Sequence, residues 1–367
     1  MRNKMLKFTL LLTAGFIVLL LVGGACAVVV PVITQLTFNT VPDMYSSISG
    51  DGSTIAFSSR MDGDWEIFVV NSDGTGLTQL TFNTASDEYP SISGDGSKIA
   101  FRSNVDGDRE IFVINSDGTG LTQLTFNTAD DMMPSISGDG SKIAFYSFVD
   151  GDEEIFVVNS DGTGLTQLTF NTAIDMNPSI SGDGSKIAFR SNVDGDAEIF
   201  VVNSDGTGLT QLTFNTAIDD SPSVIGDGSK IAFFSELDGD YEIFVVNSDG
   251  TGLTQLTFNT ADDMMPSISG DGSKITFESW DGDWEISVMD SDGTGLTQLT
   301  FNTENDYVPS ISNDGSKIAF FSLVDGDNEI FLCQLVPDHV IPEIPLGTVI
   351  ASAAMIIALV AYAAKHK

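Results

Sequence analysis

Apolar and polar residues in the middle of the chain follow a block that recurs about every 44 residues. The copy that begins at Ala85 reads ASDEYPSISGDGSKIAFRSNVDGDREIFVINSDGTGLTQLTFNT and holds four short runs, PSIS, KIAFRS, EIFVIN and LTQLTF. An Asp-Gly dipeptide stands in each connection between these runs, and this dipeptide favours the positive φ of a tight hairpin. Each block therefore predicts a meander of four antiparallel strands, which we call a, b, c and d in chain order.

The two middle runs of each block are apolar on both faces of the pleat. Ile99, Ala100 and Phe101 follow one another in strand b, and residues 111–114 are all apolar in strand c. A strand that is apolar on both faces needs cover on both sides of its sheet. A period of this length with four strands per copy is typical of a β-propeller, in which neighbouring blades supply that cover.

The two ends of the repeat array complement each other. Strands a, b and c occur seven times, but the last strand c, EIFLCQL at 329–335, has no strand d after it. The run ITQLTFNT at 33–40 precedes the first strand a, so we expect it to form the outer strand of the seventh blade. This pairing would close the ring and leave no unpaired edge. The predicted fold class is all-β, a seven-bladed β-propeller closed by an N-terminal outer strand.

The propeller is predicted over residues 33–335, and the remaining segments differ from it in composition. Residues 1–27 combine a basic start, an apolar run and an A-x-A-like site, as a secretory signal peptide does. After a linker at 336–345, residues 346–364 form an uncharged apolar run long enough for a transmembrane helix. The basic tip at 365–367 indicates a cytoplasmic end. We therefore expect a secreted, membrane-anchored protein with its propeller extracellular at the cell surface.

Two motifs resemble known families. PSISGDGSKIAF is similar to the P-x-W-S-P-D-G-x-x-I-A-F signature of TolB-like, or PD40, repeats, which are WD40-like, and this resemblance over residues 33–335 implies their propeller fold. Gly stands where that family usually has Pro before Asp-Gly. The tail, IPEIP followed by the apolar run and basic tip, resembles archaeal PEF-CTERM and PGF-CTERM sorting signals. That second resemblance implies a helix that is either retained or removed during attachment to the cell surface.

Composition narrows the choice of partners. The formal net charge is -37, with 52 acidic residues against 15 Lys and Arg, five of which lie in the end segments. A propeller without a basic stripe is a poor ligand for phosphate backbones, so nucleic acid is excluded as a partner. Cys333 is the only cysteine of the propeller and is expected to be a buried, inert thiol.

The variable residues of the repeats concentrate on one face. Because successive strands run antiparallel, the d–a and b–c connections share one face, the top, and the a–b and c–d turns share the bottom. Trp, Tyr and Arg dominate binding hot spots, so their concentration at the top predicts a surface that binds an extracellular protein, peptide or glycan. Drift of duplicated loops, with aromatics filling gaps between blades, would give the same pattern. The candidates are Tyr45, Arg60, Trp65, Tyr89, Arg102, Arg109, Tyr146, Arg190, Tyr241, Trp280, Trp284 and Tyr307.

Charged side chains also recur at the bottom. Six lysines occupy the a–b turns, where we expect either solvated charges that offset neighbouring aspartates or contacts with anionic lipid. They are Lys98, Lys142, Lys186, Lys230, Lys274 and Lys317.

Carboxylates repeat at two places near the top. The motif DGDxE occurs in all seven b–c turns, and clustered carboxylates around a Gly bend favour calcium, although Asp-Gly equally makes an ordinary hairpin turn. The candidate ligands are Asp62, Asp64, Glu66, Asp106, Asp108 and Glu110. A second set precedes strand a and is expected either to form Asx-turns or to ring the channel mouth as a cation site. This set is Asp43, Asp87, Asp131, Asp175, Asp219, Asp263 and Asp306.

Catalysis has little support in the sequence. His339 and His366 are the only histidines, and both lie outside the propeller, which therefore has no imidazole base. A carboxylate-only site would need a special Asp or Glu pair, whereas the candidate carboxylates repeat sevenfold. We predict a monomeric binding module that is not an enzyme and requires no cofactor, with calcium as an optional ligand. Two alternatives stay open: a structural or adhesive envelope component, and a carbohydrate-active enzyme.

Overall fold

Four antiparallel strands form each sheet, and seven such sheets follow one another around a ring, as predicted. The signal peptide and C-terminal helix predicted above lie outside the described residues, as does the predicted linker except for Val336, which ends the last strand. Within the described part of the chain, no helix is long and apolar enough to cross a membrane. This computed structural model describes residues 30–61, 63–105, 107–149, 151–193, 195–237, 239–324 and 326–336.

The two strands of each blade that lie nearest the central channel are the predicted strands a and b. Strands are numbered in chain order. The innermost strands are β2 (Asp43–Ile48), β6 (Asp87–Ile92), β10 (Asp131–Ile136), β14 (Asp175–Ile180), β18 (Asp219–Val224), β22 (Asp263–Ile268) and β26 (Asp306–Ile311). The next strands are β3 (Thr54–Ser59), β7 (Lys98–Ser103), β11 (Lys142–Val149), β15 (Lys186–Ser191), β19 (Lys230–Leu237), β23 (Lys274–Trp280) and β27 (Lys317–Val324).

The outer two strands differ greatly in length. The third strands are β4 (Glu66–Asn71), β8 (Glu110–Asn115), β12 (Asp152–Asn159), β16 (Glu198–Asn203), β20 (Asp240–Asn247), β24 (Trp284–Asp290) and β28 (Asp327–Val336). The outermost are β5 (Thr78–Gln79), β9 (Thr122–Gln123), β13 (Thr166–Gln167), β17 (Thr210–Gln211), β21 (Thr254–Gln255), β25 (Thr297–Gln298) and β1 (Val30–Gln35). Six outer strands are thus only two residues long, shorter than the LTQLTF run suggests.

A threonine ends the ladder of these outer strands. In the first blade the N–H of Leu80 still donates to the carbonyl of Ile67, but the N–H of Ile67 donates to the Thr81 hydroxyl at 2.9 Å. A side-chain oxygen therefore replaces the backbone acceptor that would have continued the strand. The phenylalanine that follows the threonine points to solvent.

The N-terminal strand closes the ring. β1 pairs antiparallel with β28 over six residues, from Val30 opposite Val336 to Gln35 opposite Phe331. The pairing continues beyond β1, because the N–H of Leu36 donates to the carbonyl of Ile330 at 2.8 Å. The predicted closure of the seventh blade by the start of the repeat array is confirmed. The nearby Cys333 is a buried free thiol whose pKa is raised to about 12 by burial.

The core consists of the two middle strands of every blade, pressed between neighbouring sheets. In the first blade Ile55, Phe57, Phe68 and Val70 are buried, and the two phenylalanine rings stack at 5.7 Å. The same stacked pair recurs in five other blades, whereas the sixth blade has Ser287 opposite its phenylalanine. Burial on both faces follows from the unbroken apolar runs of the sequence.

Seven backbone hydrogen bonds run around the bottom of the ring, one between each pair of neighbouring blades. They join Asp51 to Gly94, Gly94 to Gly138, Asp139 to Gly182, Asp183 to Gly226, Gly226 to Gly270, Asp271 to Asn313, and Asn313 to Gly50, each from N–H to carbonyl. A Cβ at Gly94 would lie 2.9 Å from the Gly138 carbonyl oxygen. Glycine occupies the position where relatives usually have proline because the backbones of neighbouring blades are in contact here. At Gly94 and Gly226 the glycine N–H is also the hydrogen-bond donor, which proline lacks.

A second circle of hydrogen bonds lies higher in the channel wall. The hydroxyl of Ser47 accepts from the N–H of Ile92 in the next blade at 3.2 Å, and every other blade repeats the contact. The inner strands have no common sheet, so these bonds and the glycine ring are what join them laterally. The channel wall is therefore a fixed scaffold for the residues above it.

The bottom lysines link neighbouring blades. The Lys98 ammonium donates to the Gly140 carbonyl at 3.3 Å and to the Ser160 hydroxyl at 2.7 Å, both in the following blade. Lys142 and Lys317 make equivalent contacts. These three ammonium groups make contacts between blades, whereas Lys274 pairs with Asp290 of its own blade at 2.8 Å, as expected of a charge that offsets a neighbouring aspartate.

Candidate functional site at the channel mouth

A bulge in each inner strand aims one side chain into the central channel. The register with the second strand shifts at the bulge, and the bulged residue has a positive φ of 50° to 58°. Non-glycine residues, Val308 above all, are uncommon in this conformation, and such strain concentrates at functional positions. The seven residues are Tyr45, Tyr89, Met133, Asn177, Ser221, Met265 and Val308. With the prolines and serines that follow them they line a channel of about 510 Å³.

An aromatic and cationic stack occupies one side of this channel. The rings of Tyr45 and Tyr89 are stacked with centroids 4.0 Å apart. The Arg102 guanidinium lies 4.2 Å from the centroid of the Tyr89 ring and is paired with Glu88 at 2.6 Å. Burial raises the pKa of Tyr45, so its hydroxyl stays protonated at neutral pH. The stack leaves the two tyrosine side chains partly exposed and offers their hydroxyl groups as hydrogen-bond donors.

A second arginine stands two blades further round. Arg190 lies 3.5 Å from Asp220 of the neighbouring blade, and Asp220 also accepts a hydrogen bond of 2.8 Å from the Asn177 amide. Arg102 and Arg190 belong to the second strands β7 and β15 rather than to the b–c turns assumed from the sequence. Both are therefore part of the blade surfaces behind the channel, each held by a carboxylate of the inner strand.

Glu278 is the carboxylate that the sequence reasoning missed. It occupies the position of Arg102 and Arg190 in the sixth blade, where no other blade has an acid, so the premise that candidate carboxylates repeat sevenfold is wrong. The Glu278 carboxylate accepts a hydrogen bond from the N–H of Val308 at 2.5 Å. Burial raises its pKa to about 7. A unique, buried carboxyl that titrates near neutrality beside a channel is typical of a functional group.

We expect Glu278→Gln to be more stable than the native protein at about pH 8 and equally stable at about pH 4. The pKa of Glu278 is higher folded than unfolded, so its contribution to stability is lost as the pH rises from 4.5 to about 7. A shift of this size corresponds to a loss on the order of 3 kcal/mol. Denaturant unfolding at both pH values measures the difference, and parallel pH profiles for the two proteins would contradict the assignment.

The remaining candidate residues lie at the top rim or pack between blades. Trp65 lies within 6.5 Å of Tyr45, and Trp280 and Trp284 contact each other edge to face at 5.3 Å. Arg109 pairs with Asp130 at 3.2 Å in an exposed position, and Arg60 is exposed. The tyrosines Tyr146, Tyr241 and Tyr307 pack against core clusters. The top face thus has a channel mouth and an outer group of aromatics.

The aspartates before strand a do not line the channel. All seven are fully buried, and Asp43 accepts a hydrogen bond of 2.6 Å from Asn39, four residues earlier. The Asx-turn is made by that asparagine, whose side-chain oxygen accepts from the N–H of Val41. The expected Asx-turn is present, but the asparagine forms it, and the aspartate accepts a hydrogen bond from the asparagine side chain. Each aspartate instead faces the DGDxE glutamate of the preceding blade, as Asp87 faces Glu66.

The DGDxE turns combine exposed and buried carboxylates. Asp62 and Asp106 lie outside the described residues. Asp64 and Asp108 are partly buried, and Glu66 and Glu110 are buried. Burial, together with the aspartate of the next blade, raises the pKa of both glutamates to about 8.

Exposed phenylalanines form an outer circle that the sequence pattern did not reveal. The phenylalanine of QLTFNT is 73% to 76% exposed in every blade. The seven residues are Phe38, Phe82, Phe126, Phe170, Phe214, Phe258 and Phe301. In the first blade Leu80 is the residue of LTQLTF that packs inward, whereas Phe82 is exposed.

Solved structures share this fold at low sequence identity. An oligogalacturonate lyase in complex with manganese is 18% identical, with a TM-score of 0.66, covering 83% of this chain and 93% of that chain. TolB from Acinetobacter baumannii is 20% identical, with a TM-score of 0.56, covering 71% and 67%. A Mycobacterium tuberculosis puromycin-hydrolyzing peptidase is 15% identical, with a TM-score of 0.64, and this chain covers 54% of it. No curated protein matches the sequence.

These structures contradict the prediction that the chain is not an enzyme. The proteins that share the fold at TM-scores above 0.6 include oligogalacturonate lyase, a prolyl endopeptidase and puromycin-hydrolyzing enzymes. TolB shares the fold as well. The prediction was based on a propeller without histidine and on carboxylates that repeat sevenfold, and Glu278 does not repeat. At these identities the likeness shows the fold alone.

The family is shown by the sequence itself. The model of the TolB beta propeller domain, PD40, matches residues 37–148, 132–235 and 217–339, which together span most of the chain. The matches cover all seven blades apart from the N-terminal strand. The chain therefore belongs to the PD40 family of TolB beta propeller domains.

Proposed function

We propose that the top face of the propeller captures an extended ligand, a protein segment, peptide or glycan, at the channel mouth. The observation that carries this proposal is the stack of Tyr45, Tyr89 and Arg102, in which left-handed bulges hold the two tyrosines and strand β7 holds the arginine. Strained backbone that positions aromatic side chains at a channel is costly for a purely structural role. Tyrosine and arginine are also the residues that concentrate binding energy.

The chemistry of the channel mouth indicates what such a ligand offers. Tyr45 and Tyr89 supply hydroxyl groups and partly exposed aromatic side chains, although Tyr45 and Arg102 cover the Tyr89 ring. Arg102 and Arg190 supply donors for carboxylates or carbonyls. Both arginines are already paired with acids, so a ligand would have to share or displace Glu88 and Asp220. That requirement favours an acidic or strongly hydrogen-bonding ligand over a purely apolar one.

The setting of this binding is also part of the proposal. The signal peptide and C-terminal anchor predicted from the sequence, together with the strong negative charge, support a propeller tethered at the outer cell surface, which we propose to be monomeric. β28 ends at the bottom of the propeller, on the face opposite the proposed binding surface. We include calcium as the cofactor of the DGDxE turns.

Serine substitution of Tyr45 and Tyr89 tests ligand capture. Serine is the natural residue of the same bulge in the fifth blade, at Ser221, so the backbone should tolerate it. We expect capture of an envelope protein or glycan by the immobilised propeller to weaken about 30-fold, as for a hot spot of about 2 kcal/mol. Phe126→Ser, at an aromatic position of the outer circle that is more exposed than either tyrosine, should leave capture unchanged.

Three outcomes would count against this assignment. Equal loss in the Phe126→Ser control would point to nonspecific adhesion, and unchanged capture in the tyrosine variants would move the site elsewhere. Concentration-dependent self-assembly with no captured ligand would favour the structural or adhesive alternative.

A carbohydrate-active enzyme is the second candidate, because Glu278 has the pKa of a general acid or base at neutral pH. Arginines across the channel would bind the carboxylates of an acidic sugar. Incubation of the purified protein with acidic polysaccharides, followed by analysis of the products, tests this role. Turnover that disappears in Glu278→Gln would support it, and absence of any product would reject it.

A further inference from the structure

Asp-Gly pairs occupy the hairpin turns of the propeller, and one of them differs from the others in its hydrogen bonds. The backbone nitrogen that follows an aspartate can attack the aspartate side chain, and glycine allows this most readily because it has no side chain to restrict the backbone. Both residues are described in fourteen such pairs. Seven lie in a–b turns, six in c–d turns, and one, Asp281-Gly282, in the turn between β23 and β24.

The glycine N–H is a hydrogen-bond donor in all thirteen pairs of the a–b and c–d turns. It donates to the carbonyl three residues earlier at 2.8 to 3.0 Å. In the sixth blade Gly272 donates to Ser269 in this way, and Gly293 donates to Asp290. A nitrogen whose hydrogen is bound to a carbonyl must break that bond before it can attack a neighbouring side chain.

The aspartates of the same thirteen pairs are also held in place. Each accepts a hydrogen bond from the N–H two residues later. Asp292, for example, accepts from the hydroxyl and the N–H of Thr294 at 2.6 Å and 2.9 Å. These two donors hold the pKa of Asp292 below its ordinary value. An ionised carboxylate reacts poorly with a nitrogen, because its oxygen cannot leave as water.

Asp281-Gly282 lacks both restraints. Among the described residues no acceptor lies on the N–H of Gly282, and no backbone N–H donates to the Asp281 carboxylate, which accepts from the Gln298 amide at 3.1 Å. Both residues are exposed, and no atom would lie within 4 Å of a Cβ at Gly282. This turn is one residue shorter than its equivalents and joins Trp280 to Trp284, which lie opposite each other. The short turn therefore leaves its glycine nitrogen free.

We propose that Asp281-Gly282 is a site of spontaneous isoaspartate formation in the folded protein. The backbone nitrogen of Gly282 bonds to Cγ of Asp281, and its hydrogen leaves with the carboxyl hydroxyl as water, which gives a five-membered succinimide. A second water molecule then opens the ring. Cleavage of the bond between that nitrogen and Cγ restores aspartate. Cleavage of the bond between that nitrogen and the main-chain carbonyl carbon of Asp281 gives isoaspartate, in which the main chain runs through Cγ.

The modification changes the top face of the sixth blade. Isoaspartate adds a methylene group to the main chain of a turn that has only three residues between Trp280 and Trp284. These two rings contact each other edge to face at 5.3 Å across the turn. A longer main chain between them alters this contact, so the exposed aromatic group of this blade differs between fresh and aged protein. The inference is independent of ligand capture at the channel mouth.

Peptide mapping of aged protein tests the site. The folded full chain is stored for weeks at mildly acidic pH with a chelator, because carboxylate oxygens of Asp281, Asp283 and Glu285 lie within 4.8 Å of one another and could hold a metal ion. Fragmentation that distinguishes isoaspartate from aspartate then measures conversion at each pair. We expect conversion at Asp281 to be about tenfold faster than at Asp292, the factor to which one broken hydrogen bond corresponds. In denaturant the two rates should become similar, since the turns are lost.

Asp281→Asn and Asp292→Asn form a matched pair of variants at exposed positions of the same blade. Asparagine forms the same succinimide with loss of ammonia, and its hydrolysis products are heavier by about one mass unit, so intact mass follows the reaction. We expect folded Asp281→Asn to gain this mass about tenfold faster than folded Asp292→Asn, with similar rates in denaturant. Equal rates in the folded variants, or faster reaction at position 292, would overturn the proposal. If either variant does not fold, the peptide map of the native chain decides in the same way.

Discussion

Gly94→Ala is expected to lower the free energy of unfolding by about 2 kcal/mol, and Gly94→Pro by about 3 kcal/mol or more. The new Cβ would lie 2.9 Å from the Gly138 carbonyl oxygen, a backbone atom that the ring holds in place. Proline would additionally remove the N–H that donates to this carbonyl and leave a buried acceptor unpaired. Denaturant unfolding of the two variants separates the steric cost from the hydrogen-bond cost.

Gly50→Ala is the matched control in the same ring. Its Cβ would meet the side-chain amide of Asn313 at 2.2 Å, and a side chain can turn aside where a backbone cannot. We therefore expect a smaller cost than at Gly94. Proline is the usual residue of the family at the position of Gly94. If a change toward the usual family residue were stabilising, Gly94→Pro would raise the free energy of unfolding instead of lowering it. Stabilisation by Gly94→Pro would show that the backbone ring is not what holds the bottom together.

The repeat made the fold predictable. Seven copies of the same apolar pattern leave few architectures, and the unpaired strand c at 329–335 requires a partner that the run at 33–40 supplies. The short outer strands were not predictable, because LTQLTF alternates as a strand does. Only the structure shows that the Thr81 hydroxyl takes the place of a backbone acceptor.

The site was predictable only in part. Variation among copies marked the top face, and Tyr45, Tyr89 and Arg102 were among the residues chosen. Nothing in the sequence shows a bulge with positive φ, so the channel-facing positions of Met133, Asn177 and their equivalents were missed. Glu278 was missed because it sits in an apolar strand, KITFESW, at a position that looks like ordinary divergence. Comparing the equivalent strand-b position across all seven copies would have singled it out.

A disulfide between the two ends of the propeller should be the most stabilising single change available. Ile33 lies opposite Cys333. The hydrogen bond from the N–H of Leu36 to the carbonyl of Ile330 shows which opposite residues of the two strands form hydrogen-bonded pairs and which do not. Leu36 and Ile330 form a hydrogen-bonded pair, so Ile33 and Cys333, three positions along, form a non-hydrogen-bonded pair with side chains close together. Ile33→Cys, with Cys26 changed to Ser, should therefore oxidise to an intramolecular disulfide.

The expected stabilisation is about 5 kcal/mol, because the bond would close a loop that spans almost the whole propeller. Val32→Cys is the matched control, since its side chain points to the opposite face of the sheet from Cys333. It lies opposite Gln334 and should stay a free thiol. Thiol titration and unfolding of oxidised and reduced protein measure both effects.

Formation of that disulfide tests the central claim, closure of the ring by β1 against β28, more directly than any other measurement. Rapid, quantitative loss of both thiols in Ile33→Cys, with a higher unfolding midpoint that falls on reduction, is the predicted result. Free thiols in Ile33→Cys, or equal oxidation of Val32→Cys, would mean that the N-terminal strand does not pair in this register and that the ring is not closed as described.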